Sequence, residues 1–375
     1  MDLPEEIVAD ILSRLPIKTI LHCKCLCKRW CNLLLQSYFV NLHLSRSPPA
    51  LLIRPEEMIF QVVELFEKSD HRDIYRHPQI RLDLRRLGLE NNAYRLNGSV
   101  NGLICLSKWC DSSATFICNP VTQECIELPV HKNKSESYAF ETHGFGFVEA
   151  SNEYKVVCFL QDDFPMLGGE VYTWCKVYTL GTGVWRSLGR VPFVIYGGRK
   201  GLFLGNLRWH GSCNAMFVNG NLHWLVYHKK NDIISGRVCT FDLKKEVHQL
   251  TALPEVGGSV TRRSLELLGA CLCVCDRTSN SELVIWVMKD YRIKENWSRE
   301  IIIRDNSRSI LTGLVHPLTV LKDGTIVFRT GSSGFTYQPG SETLQTLDVN
   351  RVRVPNAIIH VPSFIKLKSF VVGKV

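Results

Sequence analysis

The chain has 375 residues, 45% of them hydrophobic, and carries a formal net charge of +9 at pH 7. Such a length suits one small module and one large one, and the hydrophobic fraction excludes a largely disordered chain. Residues 1–44 hold five Lys/Arg and four Asp/Glu, which leaves +8 on the remainder, and because the basic pairs there are scattered we expect an acidic protein partner in preference to nucleic acid.

Three features of the sequence indicate the cellular location. The start of the chain, MDLPEEIVAD, lacks the basic residues and the apolar run of a signal peptide. No uncharged apolar stretch is long enough to span a bilayer. The 15 cysteines are irregularly spaced, as is typical of reduced and mostly buried thiols. We therefore expect a protein of the cytoplasm or nucleus with no membrane association.

The first helix is predicted over residues 5–15. One stripe of that helix is apolar, with Ile7, Val8, Ile11, Leu12 and Leu15. Pro4 suits the helix start, because its missing N–H would have no intrahelical partner there, and Pro16 ends the helix. Two more apolar runs follow, so three short helices are expected. A segment this short cannot bury all its apolar faces internally, so they either bind a partner or pack on the large module.

These residues resemble the F-box motif in the stretches LPEEI at 3–7, ILSRLP at 11–16 and CKRW at 27–30. The resemblance implies that the segment binds a Skp-family adaptor and, through it, a cullin scaffold. It also implies a set of adaptor-facing or helix-shaping residues, namely Leu3, Pro4, Ile7, Ile11, Leu12, Leu15, Pro16 and Trp30. The stretch HCKC at 22–25 departs from the family pattern. We expect this departure to tune the fold without abolishing docking.

Four cysteines of this segment, Cys23, Cys25, Cys27 and Cys31, could suggest a zinc site. On a helix, Cys25 would point away from the face that the other three share, so the four thiols would not converge on one ion. We therefore expect buried thiols here, no metal site and no cofactor.

From about residue 94 a unit recurs in the order strand, tight turn, strand, polar loop, strand, turn, strand. Its clearest copy covers residues 215–250, with the hairpin signal Asn219-Gly220 and a polar loop at 229–236. Five copies are readable, roughly 50–60 residues apart, which is near the period of kelch-like repeats. Their third strands are predicted to end near Asn119, Leu180, Asp242, Lys289 and Pro339.

Repeats of four short antiparallel strands favour a β-propeller, with an open β-sandwich assembly as the alternative. A sixth blade could form from ALLIR at 50–54, RLDLR at 81–85 and AIIHV at 357–361, which would protect the edge strands. The expected fold is thus an α+β multidomain chain that ends in an all-β, propeller-like domain of six blades. We expect a three-helix F-box over 1–44, a connector with closing-blade strands over 45–93, and the propeller over 94–375.

The large module also resembles the F-box-associated interaction domain of the plant F-box family. The similar stretches are GLIC at 102–105, NPVT at 119–122, HGFG at 143–146, YKVV at 154–157, VY at 177–178, WR at 185–186 and NLHW at 221–224. The resemblance covers roughly residues 48–370 and is loose in 55–90. It implies that this domain is the receptor for a target protein.

The connectors from fourth to first strands are expected to share one rim of the propeller. The longest, 189–214, carries aromatic and Arg residues, which are favoured in binding loops. The alternative is that these aromatics only pin the loop to the domain. We hypothesise that an acidic protein target is bound by Tyr196, Arg199, Lys200, Arg208, Trp209, Lys229, Arg262 and Arg263.

Catalytic motifs are missing from the sequence, including G-x-S-x-G and H-E-x-x-H, although a site built from distant blades would escape a motif search. We therefore predict a non-catalytic, substrate-recognition subunit of an SCF-type ubiquitin ligase, which binds a target for ubiquitination and degradation. Two alternatives are an F-box receptor that works outside a ligase, and a stand-alone propeller that binds or hydrolyses a ligand and has no link to ubiquitin.

Overall fold

The computed structural model describes residues 3–67, 74–90, 94–108, 114–131, 138, 140–162, 171–195, 214–230, 233–255, 260–278, 282–290, 297–304, 313–331, 333–346 and 357–370. Within them the chain divides into two compact units, Met1–Leu128 with Val349–Val375, and Pro129–Asp348. A search of the described helices finds none with the length and apolar character that crossing a membrane requires.

The first unit opens with four short helices among its described residues, where the sequence predicted three. They are α1 (Glu5–Leu12), α2 (Ile17–Lys24), α3 (Lys28–Leu33) and α4 (Ser37–Arg46). Pro4 directly precedes α1, as predicted, but α1 ends at Leu12, before the predicted end at Leu15. Pro16, which was predicted to end the first helix, directly precedes α2, and both prolines have φ of −55°. The unexpected helix α4 forms because Phe39, Val40 and His43 recur at helical spacing and are all buried.

Two four-stranded antiparallel sheets complete the first unit. Their strands are β1 (Ala50–Glu56), β2 (Ile59–Glu67), β3 (Ile74–Asp83), β4 (Tyr94–Val100), β5 (Leu103–Lys108), β6 (Thr115–Asn119) and β7 (Glu124–Glu127), with β25 (Ile358–His360) from the far end of the chain. The first sheet has the order β25-β1-β2-β3 and the second β4-β5-β6-β7. The C-terminal strand therefore closes the sheet of the N-terminal strands, as predicted, and β2 is a strand that the sequence analysis missed.

The second unit holds the remaining four sheets. Their strands are β8 (Phe140–Val148), β9 (Glu153–Gln161), β10 (Thr173–Thr179), β11 (Trp185–Val191), β12 (Val194–Ile195), β13 (Met216–Val218), β14 (Asn221–Lys230), β15 (Ile233–Asp242), β16 (Val247–Ala252), β17 (Val260–Leu268), β18 (Cys271–Thr278), β19 (Glu282–Met288), β20 (Trp297–Arg304), β21 (Val315–Val320), β22 (Ile326–Thr330), β23 (Ser333–Gln338) and β24 (Thr343–Thr346). Each sheet is a meander of sequential strands, and β12 and β13 both pair with β14. With the two sheets of the first unit they give six blades, which confirms the six-bladed propeller.

Two of the hairpin turns between these strands were visible in the sequence as Asn-Gly pairs. Asn219 and Gly220 have φ of 51° and 73°, and Asn101 and Gly102 have φ of 50° and 83°. Both pairs of positive φ values match the two-residue hairpin turn that Asn-Gly favours. The predicted ends of the third strands are also confirmed, since all five landmark residues lie at the end of β6, β10, β15, β19 or β23 or one residue beyond it.

The cores of the second unit lie between consecutive sheets. One joins Val157 and Phe159 of β9 to Trp224 and Phe241 of the next sheet. Trp224 fits there because Gly144, opposite it, has no side chain: a Cβ at Gly144 would lie 2.5 Å from the indole. The glycines of the HGFG stretch therefore leave room for side chains of the neighbouring blade.

The cysteines only partly follow the expectation of buried thiols. Cys273 and Cys275 are buried in one core, as predicted. In the helical segment, however, Cys25 and Cys27 are exposed, because α2 ends at Lys24 and the chain turns before α3. The structure also joins Cys118 and Cys125 of neighbouring strands in a disulfide, an exception to the expected reduced thiols.

Candidate adaptor-docking surface

The predicted apolar stripe of the first helix splits into two faces. The inner face is buried, with Val8, Ala9 and Leu12 at 8%, 0% and 3% exposure. The outer face is apolar but open, with Leu3, Ile7 and Ile11 at 54%, 48% and 48% exposure. We call these last three residues the outer stripe. Ile7 and Ile11, four residues apart, lie on the same side of α1, and Leu3 lies just before the helix starts.

The inner faces of the helices pack on the first two sheets. Ile20 and Phe39 share one core with Phe60 and Leu82 of the β25-β1-β2-β3 sheet. The Phe39 ring also lies 6.0 Å from that of Phe364. The sequence left open whether the surplus apolar surface of the helices covers a partner or the large module. The inner faces are covered by the sheets of this unit, and the outer stripe is left exposed.

The other predicted docking residues fall into different environments. Pro4 and Pro16 are exposed at the helix starts. Leu12 is buried, and Leu15 and Trp30 are half-buried against the core of the helices. Leu12 therefore shapes the helices from the inside, and the same role fits the inner sides of Leu15 and Trp30.

Further exposed apolar residues of the helical segment were not among the predicted docking set. Leu26, in the turn between α2 and α3, is 70% exposed, Tyr38 of α4 is 55% exposed and Leu35 is 37% exposed. Leu26 is exposed because α2 ends at Lys24 and α3 begins only at Lys28. A cluster of exposed apolar side chains on one small module is typical of a protein-binding surface.

Ion pairs hold the helices together around the outer stripe. Arg29 of α3 donates to the carbonyl oxygen of Leu3 over 2.9 Å, and its Nε lies 3.6 Å from Glu5. On the other side of α1, Arg46 of α4 lies 2.7 Å from the carboxylate of Asp10. Hydrogen bonds from Arg14 and Arg46 lower the pKa of Asp10, so this carboxylate stays ionised. Arg29 and Arg46 thus connect α1 to α3 and α4 and leave the outer stripe exposed.

Most of the predicted target-binding residues fall outside the described part of the chain. These are Tyr196, Arg199, Lys200, Arg208 and Trp209. Lys229, predicted in a polar loop at 229–236, instead lies in strand β14, because β14 and β15 extend their pairing to Lys230 and Ile233.

The structure places Arg263 in the core and not on an exposed rim. Arg262 and Arg263 lie in strand β17, not in a connector, and Arg263 is only 9% exposed. Its guanidinium binds both carboxylate oxygens of Asp276 on β18, a residue with no exposed surface. A buried bidentate pair of this kind is part of the core, since breaking it would leave a charge without its partner. Arg262 is half-exposed in the same strand.

The start of the longest connector is held on the sheet. Phe193, one of its aromatics, is 3% exposed, and its ring lies 5.3 Å from that of Phe159 and 5.6 Å from that of His248. The next two residues, Val194 and Ile195, pair with β14. For this part of the connector, the alternative that its aromatic residue pins it to the domain is correct.

One group of described side chains could hold a metal ion, and the sequence analysis missed it. His131, Glu141, His143 and Cys158 are all buried, with one potential ligand atom from each lying within 4.8 Å of the others. In the sequence, the only hint of this group was the pair Glu141 and His143, two residues apart on one strand. His131 and Cys158 are distant in sequence and are brought beside this pair by the fold.

Comparison with known proteins identifies both modules. The F-box domain profile matches residues 1–41, and that of the F-box associated beta propeller domain matches residues 64–334, more than half of the chain. Three Arabidopsis thaliana proteins are among the similar sequences. They are F-box protein At3g07870, 28% identical (80% of this chain and 72% of that protein); F-box protein CPR1, 26% identical (86% and 78%); and F-box/kelch-repeat protein At3g23880, 25% identical (92% of each).

The helices with exposed apolar residues, the six antiparallel blades and these two matches agree. The chain therefore belongs to the F-box proteins that carry an F-box-associated β-propeller domain.

Proposed function

We propose that the protein is the substrate-recognition subunit of an SCF-type ubiquitin ligase. In this function the F-box helices bind a Skp-family adaptor, the adaptor binds a cullin scaffold, and the propeller binds a target protein. The chain supplies binding surfaces and contributes no catalytic residue. A subunit of this kind would act in the cytoplasm or nucleus.

The observation that carries the proposal is the outer stripe. Leu3, Ile7 and Ile11 remain about half exposed, although the inner side of α1 is covered by the unit's own core. Because about half of each side chain is already covered, burying the rest in a partner stabilises a complex by roughly 0.7–1.5 kcal/mol each. The inner face of the helices is packed on the sheets of this unit, and the outer stripe remains available to a partner.

The proposed mechanism is positional. Binding the adaptor and the target through one chain raises the effective concentration of target lysines near the ubiquitin-charged enzyme. The helical module shares a core with the first two blades, so within this unit the adaptor-binding face is rigidly connected to propeller strands. A rigid connection favours a fixed presentation of the target over a freely diffusing one.

Binding to a purified Skp-family adaptor tests the proposal. The variant Ile7→Asp with Ile11→Asp places two charges on the outer stripe and leaves the buried face intact, so we expect the Kd for the adaptor to rise at least about 30-fold. A Leu12→Asp variant is unsuitable, because Leu12 is 3% exposed and the charge would unfold the helices.

Val184→Asp is the matched control, since Val184 is an apolar residue of the second unit with 61% exposure. It should bind the adaptor as the wild type does. Circular dichroism and thermal unfolding verify that both variants are folded. If wild-type protein fails to bind any Skp-family adaptor, or the stripe variant binds as tightly as the control, the proposal is wrong. The remaining alternative would then be a stand-alone propeller.

A further inference from the structure

A buried group of four metal-binding side chains lies on one face of the β8-β9 sheet. Glu141 and His143 are two residues apart on β8, so both side chains point to the same face. Cys158 is the direct cross-strand neighbour of His143 on β9. His131, from the segment that precedes β8, completes the group.

Each of the four residues is shielded from solvent. His131, Glu141 and His143 are 4%, 6% and 1% exposed, and Cys158 is completely buried. A carboxylate and two imidazoles in so dry a place require strong partners, since an uncompensated buried polar group costs several kcal/mol. Nδ1 of His131 has no hydrogen-bond partner among the described residues.

The distances fit ligands around an ion better than they fit hydrogen bonds. Nε2 of His131 lies 3.3 Å from Oε2 of Glu141, and Nε2 of His143 lies 3.3 Å from its other carboxylate oxygen, Oε1. Charge-assisted N–H···O bonds usually measure about 2.7–2.9 Å. Two ligand atoms at about 2.05 Å from a tetrahedral Zn²⁺ are roughly 3.3–3.4 Å apart. Two edges of the cluster therefore have the length expected around a small tetrahedral cation, and all four ligand atoms lie within 4.8 Å of one another.

We propose that His131, Glu141, His143 and Cys158 bind one structural Zn²⁺ ion. Two imidazoles, a carboxylate and a thiolate are all zinc ligands, and four protein ligands leave no open position, which is the arrangement of a structural site. Cys158 binds as the thiolate, and its proton leaves to solvent. The charges of the carboxylate and the thiolate together balance the charge of the ion.

Such an ion would fix the segment before β8 to the sheet that follows it. His131 is the one ligand outside a strand, and Lys176 of β10 already donates to its carbonyl oxygen over 2.6 Å. Its ring also lies 5.2 Å from that of Trp185, whose Nε1 donates to the carbonyl oxygen of Pro129 over 2.7 Å. The segment is thus positioned by three independent contacts, and the ion would add a fourth that is much stronger.

Metal analysis of the full-length chain tests the proposal. Because the four side chains are buried, the ion must enter while the sheet forms, so the protein is produced with zinc supplied and then dialysed extensively. We expect about one zinc per chain by mass spectrometry of the metal. Production with cobalt in place of zinc should give visible ligand-field bands and a near-ultraviolet thiolate-to-Co²⁺ charge-transfer band.

The variant Cys158→Ala should lose the charge-transfer band, and His131→Ala should lower the zinc content at least tenfold. Cys175→Ala and His223→Ala are matched controls, because Cys175 lies buried in the same sheet and His223 is a buried histidine, both outside the cluster. The controls should keep the zinc and the band. Circular dichroism on all four variants separates loss of metal from loss of fold.

Two results would overturn the proposal. One is a folded wild-type chain that contains less than about a tenth of an equivalent of zinc after production with the metal. The other is a folded Cys158→Ala chain whose cobalt form keeps the charge-transfer band. In either case the four residues would form an internal network of ion pairs. Zinc content and the cobalt band do not depend on adaptor binding, so these measurements test the zinc site independently of the ligase function.

Discussion

The side-chain amide nitrogen of Asn119 donates a hydrogen bond to the carbonyl oxygen of Ser363, 3.1 Å away, although the two residues are 244 positions apart. The same nitrogen donates to the carbonyl oxygen of Ile365 over 2.7 Å. Its Oδ1 accepts from the backbone N–H of Val121 over 2.9 Å. One buried residue therefore caps the turn after β6 and also holds the segment that follows the closing strand β25.

Substitution of Asn119 tests how much this attachment stabilises the first unit. Asn119→Asp keeps the oxygen that caps the turn but replaces the donor with a carboxylate oxygen that faces two carbonyl oxygens. We expect a loss of about 2–4 kcal/mol in the free energy of unfolding, measured by urea denaturation. Asn152→Asp, at an exposed turn residue, should change it by less than about 0.5 kcal/mol. Equal midpoints for the two variants would show that the attachment is unimportant.

Two Asn-Gly turns of the same type provide a second test. Gly102 and Gly220 both have positive φ, so alanine at either position costs about 1–2 kcal/mol in backbone strain. A Cβ at Gly102 would also lie 2.6 Å from the backbone nitrogen of Ser363, whereas a Cβ at Gly220 meets nothing within 4 Å. Gly102→Ala should therefore lower the midpoint of thermal unfolding clearly more than Gly220→Ala. The reverse order would contradict the close approach of the C-terminal segment.

The buried pair of Arg263 and Asp276 predicts a stability effect where the sequence suggested target binding. Burial raises the pKa of Asp276 even though Arg263 opposes this, so the carboxylate depends on its partner. Arg263→Ala should destabilise the protein by about 3–5 kcal/mol, because it leaves that carboxylate alone in the core. Arg262→Ala, in the neighbouring half-exposed position, should cost less than about 1 kcal/mol.

The double variant Arg263→Met with Asp276→Leu separates charge from packing. It removes both ionic groups and keeps apolar volume, so most of the lost stability should return. Urea denaturation of the four proteins measures the effect. A single Arg263→Ala variant as stable as the wild type would return Arg263 to the candidates for target binding.

His43 of α4 predicts a dependence of stability on pH. Burial lowers its pKa from 6.5 to about 4, and its ring lies 5.0 Å from that of Phe364. The unfolded chain takes up the proton first as the pH falls below 6.5, so this histidine makes stability decrease between pH 6.5 and about 4. The loss would approach about 3 kcal/mol at the end of that range.

The His43→Leu variant should lose that part of the pH dependence and keep the apolar contact with Phe364. Urea denaturation at pH 7 and at several lower pH values, in the wild type and in the variant, measures the difference. His22→Leu, at an exposed position on α2, is the control and should leave the dependence unchanged. Parallel stability curves for wild type and His43→Leu would contradict the assignment. Burial also lowers the pKa of His223 to about 4 and that of His360 to about 3, so a residual dependence should remain in the variant.

The sequence by itself determined the features that depend on neighbours in the chain. Pro4 fixed the start of the first helix, because a proline ring sets φ and removes an N–H wherever it stands. Asn101-Gly102 and Asn219-Gly220 fixed hairpin turns, because few other residues accept positive φ at both positions. The repeated pattern of short strands and turns was therefore enough to predict six blades and the closure by β25.

Only the tertiary structure decided which side of each element is covered. Ile7 and Val8 are equally apolar and adjacent, yet the core of the blades covers only Val8. Arg262 and Arg263 are identical in type, and the alternation of strand β17 places only Arg263 against Asp276. His131 and Cys158 become neighbours because the chain folds back between them. Burial and convergence depend on contacts between distant segments, and these are established by packing, which spacing along a single chain does not specify.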